Sequence, residues 1–244
     1  MAAVSVRLAA IAAAFLPVGL AVAQVPSDAE LDRLEAQVTR AEDIEAIKRL
    51  MHAFGYLRDK FYDDDVLALF TDDAVVDFKG GKYVGKDSVR RLITGPNYKP
   101  PEAVGRQGPQ PGIINDHILL QHVITLSEDG QSAKARWKEW SQRGVHGVRQ
   151  IYATGVYENT FRKVDGVWQI SAMAYCTRYE TPYLLGIFER EDPPAARPVP
   201  TFYPQDPHGP DRQSNYACHE YPHVGVNPPM HYPHPVTGDM NYKP

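Results

Sequence analysis

The chain has 244 residues, with 26 Lys+Arg against 30 Asp+Glu and a net charge of −4 at pH 7. This mildly acidic balance, without a basic cluster, excludes the electrostatic footprint of a nucleic-acid binder. The length suits one domain plus an extension. The two cysteines, Cys176 and Cys218, either bridge the tail to the domain in an oxidising compartment or stand as free thiols.

Residues 1–23 have the form of a secretory signal. Arg7 supplies the positive charge, Leu8 to Val22 the apolar run, and Ala21-Val22-Ala23 the small-residue cleavage site. The run is shorter than the roughly 20 residues that span a bilayer. Cleavage after Ala23 is therefore expected, giving an exported, periplasmic or secreted protein without membrane attachment; an uncleaved anchor is the lesser alternative.

Ser27-Asp28-Ala29-Glu30 is a capping box, so a helix begins there. Leu31, Leu34, Val38, Ala41 and Ile44 carry an apolar stripe forward, with a break expected near Thr39. From Ile47, helical spacing puts Leu50, Met51, Phe54, Leu57 and Phe61 on one face, with Arg58 near its centre and Asp59 at its edge. Asp63-Asp64-Asp65 opens a short helix, Val66 to Phe70. Ala74 to Phe78 and Lys82 to Val84 form a hairpin closed at Gly80-Gly81, and a third helix runs from Lys86-Asp87 through Ile93.

Gly95 to Gly112 holds Pro96, Pro100, Pro101 and Pro109 and reads as a long loop of the kind that serves as a lid. Four long strands follow: Ile113 to Leu126, Ala133 to Arg143, Val148 to Arg162 and Val167 to Arg178. Asp-Gly turns join the first to the second and the third to the fourth. Helices followed by a meander predict an α+β domain over residues 24–181, with helices on one face of a curved antiparallel sheet. Residues 182–244 are rich in Pro, Tyr and His and predict an irregular arm laid on the domain or a neighbouring subunit. Its histidines lack a convincing zinc spacing, and no metal is expected.

On the strand after the loop, Asn115, His117, Leu119 and Gln121 share one face, and Asp116, Ile118, Leu120 and His122 the other. Both faces are largely apolar, which suits helices on one side and another subunit on the other. A homo-oligomer, dimer or trimer, is therefore expected. There is no phosphate loop, no nucleotide fingerprint and no Ser-His-Asp triad that can be singled out, so any chemistry rests on proton transfer and charge stabilisation without a cofactor.

IKRLMHAFGYLRD, FTDDAVVDF, GKDSVRRLI, His117 opening a long strand, and Gly155-Val156-Tyr157 through FRKVDGVWQI together resemble the SnoaL-like branch of the nuclear transport factor 2-like superfamily. The resemblance covers about Ala41 to Tyr179. It implies a cone, a strongly curved sheet around three helices with an apolar pocket at its open end. Relatives include scytalone dehydratase, bile acid 7α-dehydratase, polyketide cyclases and γ-formaldehyde lyases. Dehydratase-like members place a Tyr and an Asp five residues apart on the first long helix, facing a strand His. The matching positions are Phe54, Asp59 and His117; Phe54 lacks the hydroxyl, and Tyr56 points well away from it on an ideal helix.

The resemblance implies His117 as acid or base and Asp59 as its partner. Arg58, at the centre of an apolar helix face, needs an anion: it pairs with Asp59, holds a substrate anion or belongs to a structural ion pair. Phe54, Tyr56, Trp137, Tyr157 and Gln121 are the candidate substrate contacts, and the partner expected is a bulky apolar or aromatic small molecule. Cofactor-independent lyase chemistry fits: dehydration of a β-hydroxy compound or retro-aldol-like loss of formaldehyde. The alternatives are a non-catalytic periplasmic binding or assembly protein and, more weakly, an isomerase or cyclase. Without the resemblance, His117 reads as a core histidine and Asp59 as a helix end.

Overall fold

Helix α1 (Asp28–Asp59) runs without the expected break near Thr39, because no proline or glycine interrupts it before Gly55. In the computed structural model, residues 26–187, 198–215, 218–223, 225 and 228–240 are described. The signal expected at residues 1–23 lies outside them, as do Tyr216 and Tyr242 of the arm.

The chain divides into two units, Met1–Gln37 and Val38–Pro244. What is described of the first is the opening of α1, where the capping box forms. The amide and hydroxyl of Ser27 both donate to the Glu30 carboxylate at 2.9 Å. Leu31 and Leu34, read as the start of the apolar stripe, are exposed. In the second unit burial on α1 follows Asp43, Ile47, Met51, Phe54 and Arg58, the spacing of one helix face.

The remaining elements are α2 (Asp63–Ala68), β1 (Phe70–Phe78), β2 (Gly81–Val84), α3 (Lys86–Thr94), β3 (Ile113–Leu126), β4 (Ser132–Val145), β5 (Arg149–Val164), β6 (Val167–Pro182) and β7 (Arg212–Gln213). One curved, unclosed sheet has the order β3-β4-β5-β6-β1-β2-β7. Helices and a curved sheet make this the expected α+β architecture. Three details depart from the sequence reading. β1 begins at Phe70 rather than Ala74, because Phe70 already pairs in parallel with Ile170 of β6. That parallel pairing makes the sheet mixed. The arm supplies β7, which pairs with Gly81 and Lys82 of β2, so it is not wholly irregular.

The β1–β2 turn sits at Lys79-Gly80, both at positive φ (49° and 87°), which matches the strand twist. Phe54, Phe70, Trp137, Tyr157, Phe161 and Ile170 belong to the core between α1 and the sheet. Phe54 packs edge-on to both Phe70 and Tyr157. Cys176 and Cys218 are joined in a disulfide that ties the arm to β6. Further along, Arg136 donates to the Pro228 carbonyl at 3.0 Å, and His231 bridges the Glu158 carboxylate and the Thr125 hydroxyl. Polar clasps thus hold the arm, and the Tyr203 ring lies 4.2 Å from the Arg91 guanidinium of α3, while Tyr221 is exposed.

Candidate active site

Residues one helical turn apart share a face, and α1 uses this at Gly55 and Asp59. A methyl at Gly55 would lie 3.6 Å from the His117 carbonyl, an ordinary contact distance, so the helix end lies directly against β3 here. Asp59 then meets His117 twice. Its Oδ1 lies 2.6 Å from Nδ1, and its Oδ2 accepts the His117 backbone N–H at 3.3 Å. Beside them Asn115 Nδ2 donates to the Arg58 carbonyl at 3.3 Å, satisfying one of the open carbonyls at the end of α1.

Burial pushes the Asp59 carboxyl up to about 7, against the lowering effect of the His117 amide and the Arg58 charge. Burial also drives His117 well below its ordinary value, and the charges of Arg58 and Arg143 add to this. The imidazole is therefore neutral at neutral pH. With Nδ1–H donated to Asp59, Nε2 is left as the acceptor. That nitrogen is buried and has no hydrogen-bond partner. Ser141, directly opposite His117 in the β3–β4 register, likewise has a buried hydroxyl without a partner.

Arg58 turns the other way, into the sheet. Its guanidinium lies 3.3 Å from Glu139 Oε2, donates to the Tyr157 hydroxyl at 2.5 Å, and stands 4.6 Å over the Tyr98 ring. Tyr175 completes the group by donating to Glu139 Oε1 at 3.1 Å. Its ring occupies the space above Gly155, where a methyl would fall 2.3 Å from the Tyr175 oxygen. Burial keeps the hydroxyls of Tyr98, Tyr157 and Tyr175 protonated. Arg58 is thus neutralised by a buried carboxylate from β4, and it does not pair with Asp59.

Two cavities border β3. One, about 240 Å³, is lined by the pair itself with His52, Gly55, Tyr56, Asp116, Ile118 and Leu119. The other, about 280 Å³, lies under the loop and is lined by Tyr98, Lys99, Asn115, Arg143 and Arg149 among others. The loop, read as a lid, carries a turn of 3-10 helix, Pro101–Ala103. It is anchored by Lys99 to Asp63 at 2.6 Å and by both nitrogens of the Arg149 fork to Glu102 at 2.7 Å.

The structure brings His117 and Asp59 together and places Arg58 in the adjacent network. Phe54, Trp137 and Tyr157 are core side chains and line none of these cavities. Tyr56 is 77% exposed and contributes only to the rim of the smaller cavity. Gln121, expected on the His117 face, is exposed. A bulge with φ +51° at Gln121 breaks the β3–β4 register between Leu120 and Val123, and the alternation slips with it. Glu139, Tyr98, Ser141 and Arg143 were not singled out in the sequence. A signal for Glu139 was present: it lies two residues from Trp137, on the buried face of β4.

The fold, with Asp59 at the end of α1 facing His117 on the first strand after the loop, sets the class: the chain belongs to the SnoaL-like domain family, whose model matches residues 39–174. No curated protein matches it. Among solved structures it is similar to an NTF2-like protein with a cystatin-like fold from Novosphingobium aromaticivorans, at 22% identity and TM-score 0.51, covering 62% of this chain and 92% of that one. A protein of the same organism, named for scytalone dehydratase, gives 21% identity and TM-score 0.50 over 60% of this chain and 91% of that one. The hexachlorocyclohexane dehydrochlorinase LinA-type3 from Novosphingobium barchaimii matches at 21% identity and TM-score 0.48, covering 68% and 99%. At these identities the likeness establishes the fold.

Proposed function

We propose that the protein is a cofactor-independent lyase acting on a bulky apolar, aromatic small molecule. The observation that carries the reading is the buried His117 Nε2, a base with no partner, whose other nitrogen is fixed by Asp59. A neutral imidazole held this way takes a proton and returns it to the leaving oxygen. In a dehydration, Nε2 removes the proton beside the hydroxyl-bearing carbon. The C–H electron pair becomes the new double bond, and the hydroxide leaves as water with the proton from the imidazolium. In a formaldehyde loss, Nε2 removes the hydroxymethyl O–H proton, the carbon–carbon bond breaks to release formaldehyde, and its electrons form the double bond as hydroxide departs from the neighbouring carbon. Asp59 stabilises the imidazolium in either case. Family membership and the name of the scytalone dehydratase-like neighbour support elimination chemistry; the ring-bearing substrate rests on the resemblance.

The test is an absorbance and formaldehyde assay of the protein without added cofactor on diaryl propanediols, phenylcoumarans and β-hydroxy aromatics. A conjugated product supports the reading, and formaldehyde separates the two eliminations. Ligand binding without turnover of any member favours a receptor instead.

Export and self-association belong to the same proposal. The Cys176–Cys218 bridge supports an oxidising compartment. Ile114, Ile118, Leu120 and Trp140, exposed together on the outer face of β3 and β4, support a homo-oligomer, which light scattering of the protein in solution tests.

A further inference from the structure

The cavity under the loop has a charge pattern that proton transfer at His117 does not require. Every charged side chain lining it is cationic: Lys79, Lys99, Arg143 and Arg149. The carboxylates that pair with Lys99, Arg143 and Arg149, namely Asp63, Glu180 and Glu102, stand outside the lining. The pairings leave donors over. Arg143 gives one terminal nitrogen to Glu180 at 2.7 Å, while its Nε is buried without a partner. A buried donor left unpaired is unfavourable and calls for an acceptor. Asn115, which also lines this cavity, lies two residues before His117 on the same face of β3.

At Ile114 and Arg149 the cavity adjoins a trough of about 580 Å³. Val145, Val148, Pro182, Tyr183 and Leu184 give the trough an apolar lining. Val148, Tyr183 and Leu184 are exposed at 71%, 52% and 89%, more apolar surface in one place than scattered residues would give. A cationic pocket that shares Ile114 and Arg149 with an apolar trough is complementary to an amphiphilic anion.

The geometry points to this compartment as the binding site of an aromatic carboxylate, its ring in the trough and its charge at Arg143. A planar guanidinium fork suits a planar carboxylate through parallel N–H bonds. Only the placement of the ligand beside His117 rests on the lyase reading; the binding does not.

The test is titration calorimetry of the full chain with 4-phenylbutanoate and its uncharged isostere 4-phenylbutanamide. The carboxylate is expected to bind at least tenfold tighter, with the preference shrinking as salt rises. Arg143→Gln should cut that preference at least fivefold, and Glu180→Gln, which frees the Arg143 fork, should keep or raise it. His117→Ala should bind the carboxylate as the wild type does, which separates failure of this site from failure of the lyase reading. Equal binding of acid and amide overturns the proposal, as does an Arg143→Gln loss shared equally by both. If Arg143→Gln does not fold, Glu180→Gln decides, a lowered preference overturning the proposal.

Discussion

His117 and Asp59 meet at 2.6 Å between Nδ1 and Oδ1, and a second contact from the His117 amide at 3.3 Å pins the same carboxylate. The double contact fixes both the tautomer and the orientation of the ring. It also makes the ionisation of Asp59 a control on how basic His117 can be.

Because burial raises Asp59 to about 7, the carboxylate that supports Nδ1–H fills in only as the pH rises through that value. Turnover per unit KM is predicted to climb about tenfold per pH unit below 7 and to flatten above it. Asp59→Asn should abolish the rising limb and lower the plateau. Stability runs the opposite way. The folded state keeps the Asp59 proton to about 7, whereas the unfolded chain releases it near 3.8, so the folded state holds more protons between the two and stability falls as pH rises. His117, lowered from 6.5, acts in the opposite sense below that value, and subtracting the Asp59→Asn denaturation curve isolates the Asp59 contribution.

Arg58 and Glu139 form a buried ion pair, with side chains 8% and 2% exposed. Removing one partner strands a charge. Arg58→Met is predicted to cost about 3–5 kcal/mol, and the double variant Arg58→Met/Glu139→Leu to recover much of it. Urea denaturation of the four proteins in that cycle gives the coupling.

Gly155 leaves the space that the Tyr175 ring fills, with a methyl falling 2.3 to 2.5 Å from three of its atoms. The ring cannot yield without losing its bond to Glu139. Gly155→Ala should therefore destabilise by about 1–3 kcal/mol, as overpacking of a filled interior does. Thermal denaturation checks this.

The Cys176–Cys218 bridge closes a loop with a sequence separation of 42. Its reduction, or Cys218→Ser, should cost about 2–4 kcal/mol through the freedom returned to the unfolded chain. Denaturation with and without reductant measures it.

The sequence carried much of this architecture because burial periodicity survives in it. The spacing of Ile47, Met51, Phe54 and Arg58 marks the inner face of α1, and the Asp-Gly turns mark hairpins whose residues must adopt positive φ. It did not carry the Gln121 bulge, since nothing in a run of alternating residues shows that one of them adopts φ +51° and shifts its successors to the other face. The Phe70–Ile170 pairing was also hidden, as parallel pairing depends on where distant segments meet. For the site, the positions of His117 and Asp59 could be read from a family pattern, while the partner of Arg58 required the β4 register that brings Glu139 inward. A charged residue on the buried face of a strand and an arginine on an apolar helix face each need a counter-ion, and matching the two would have found the pair.

The most direct test of the account is the comparison of kcat and ligand Kd between the wild type and His117→Ala on whichever aromatic substrate turns over. His117→Ala is predicted to have a kcat at least about a hundredfold lower, the typical contribution of a positioned acid–base group, with Kd within about threefold. A variant that keeps kcat within a few-fold of the wild type, or that loses affinity in step with turnover, would contradict it.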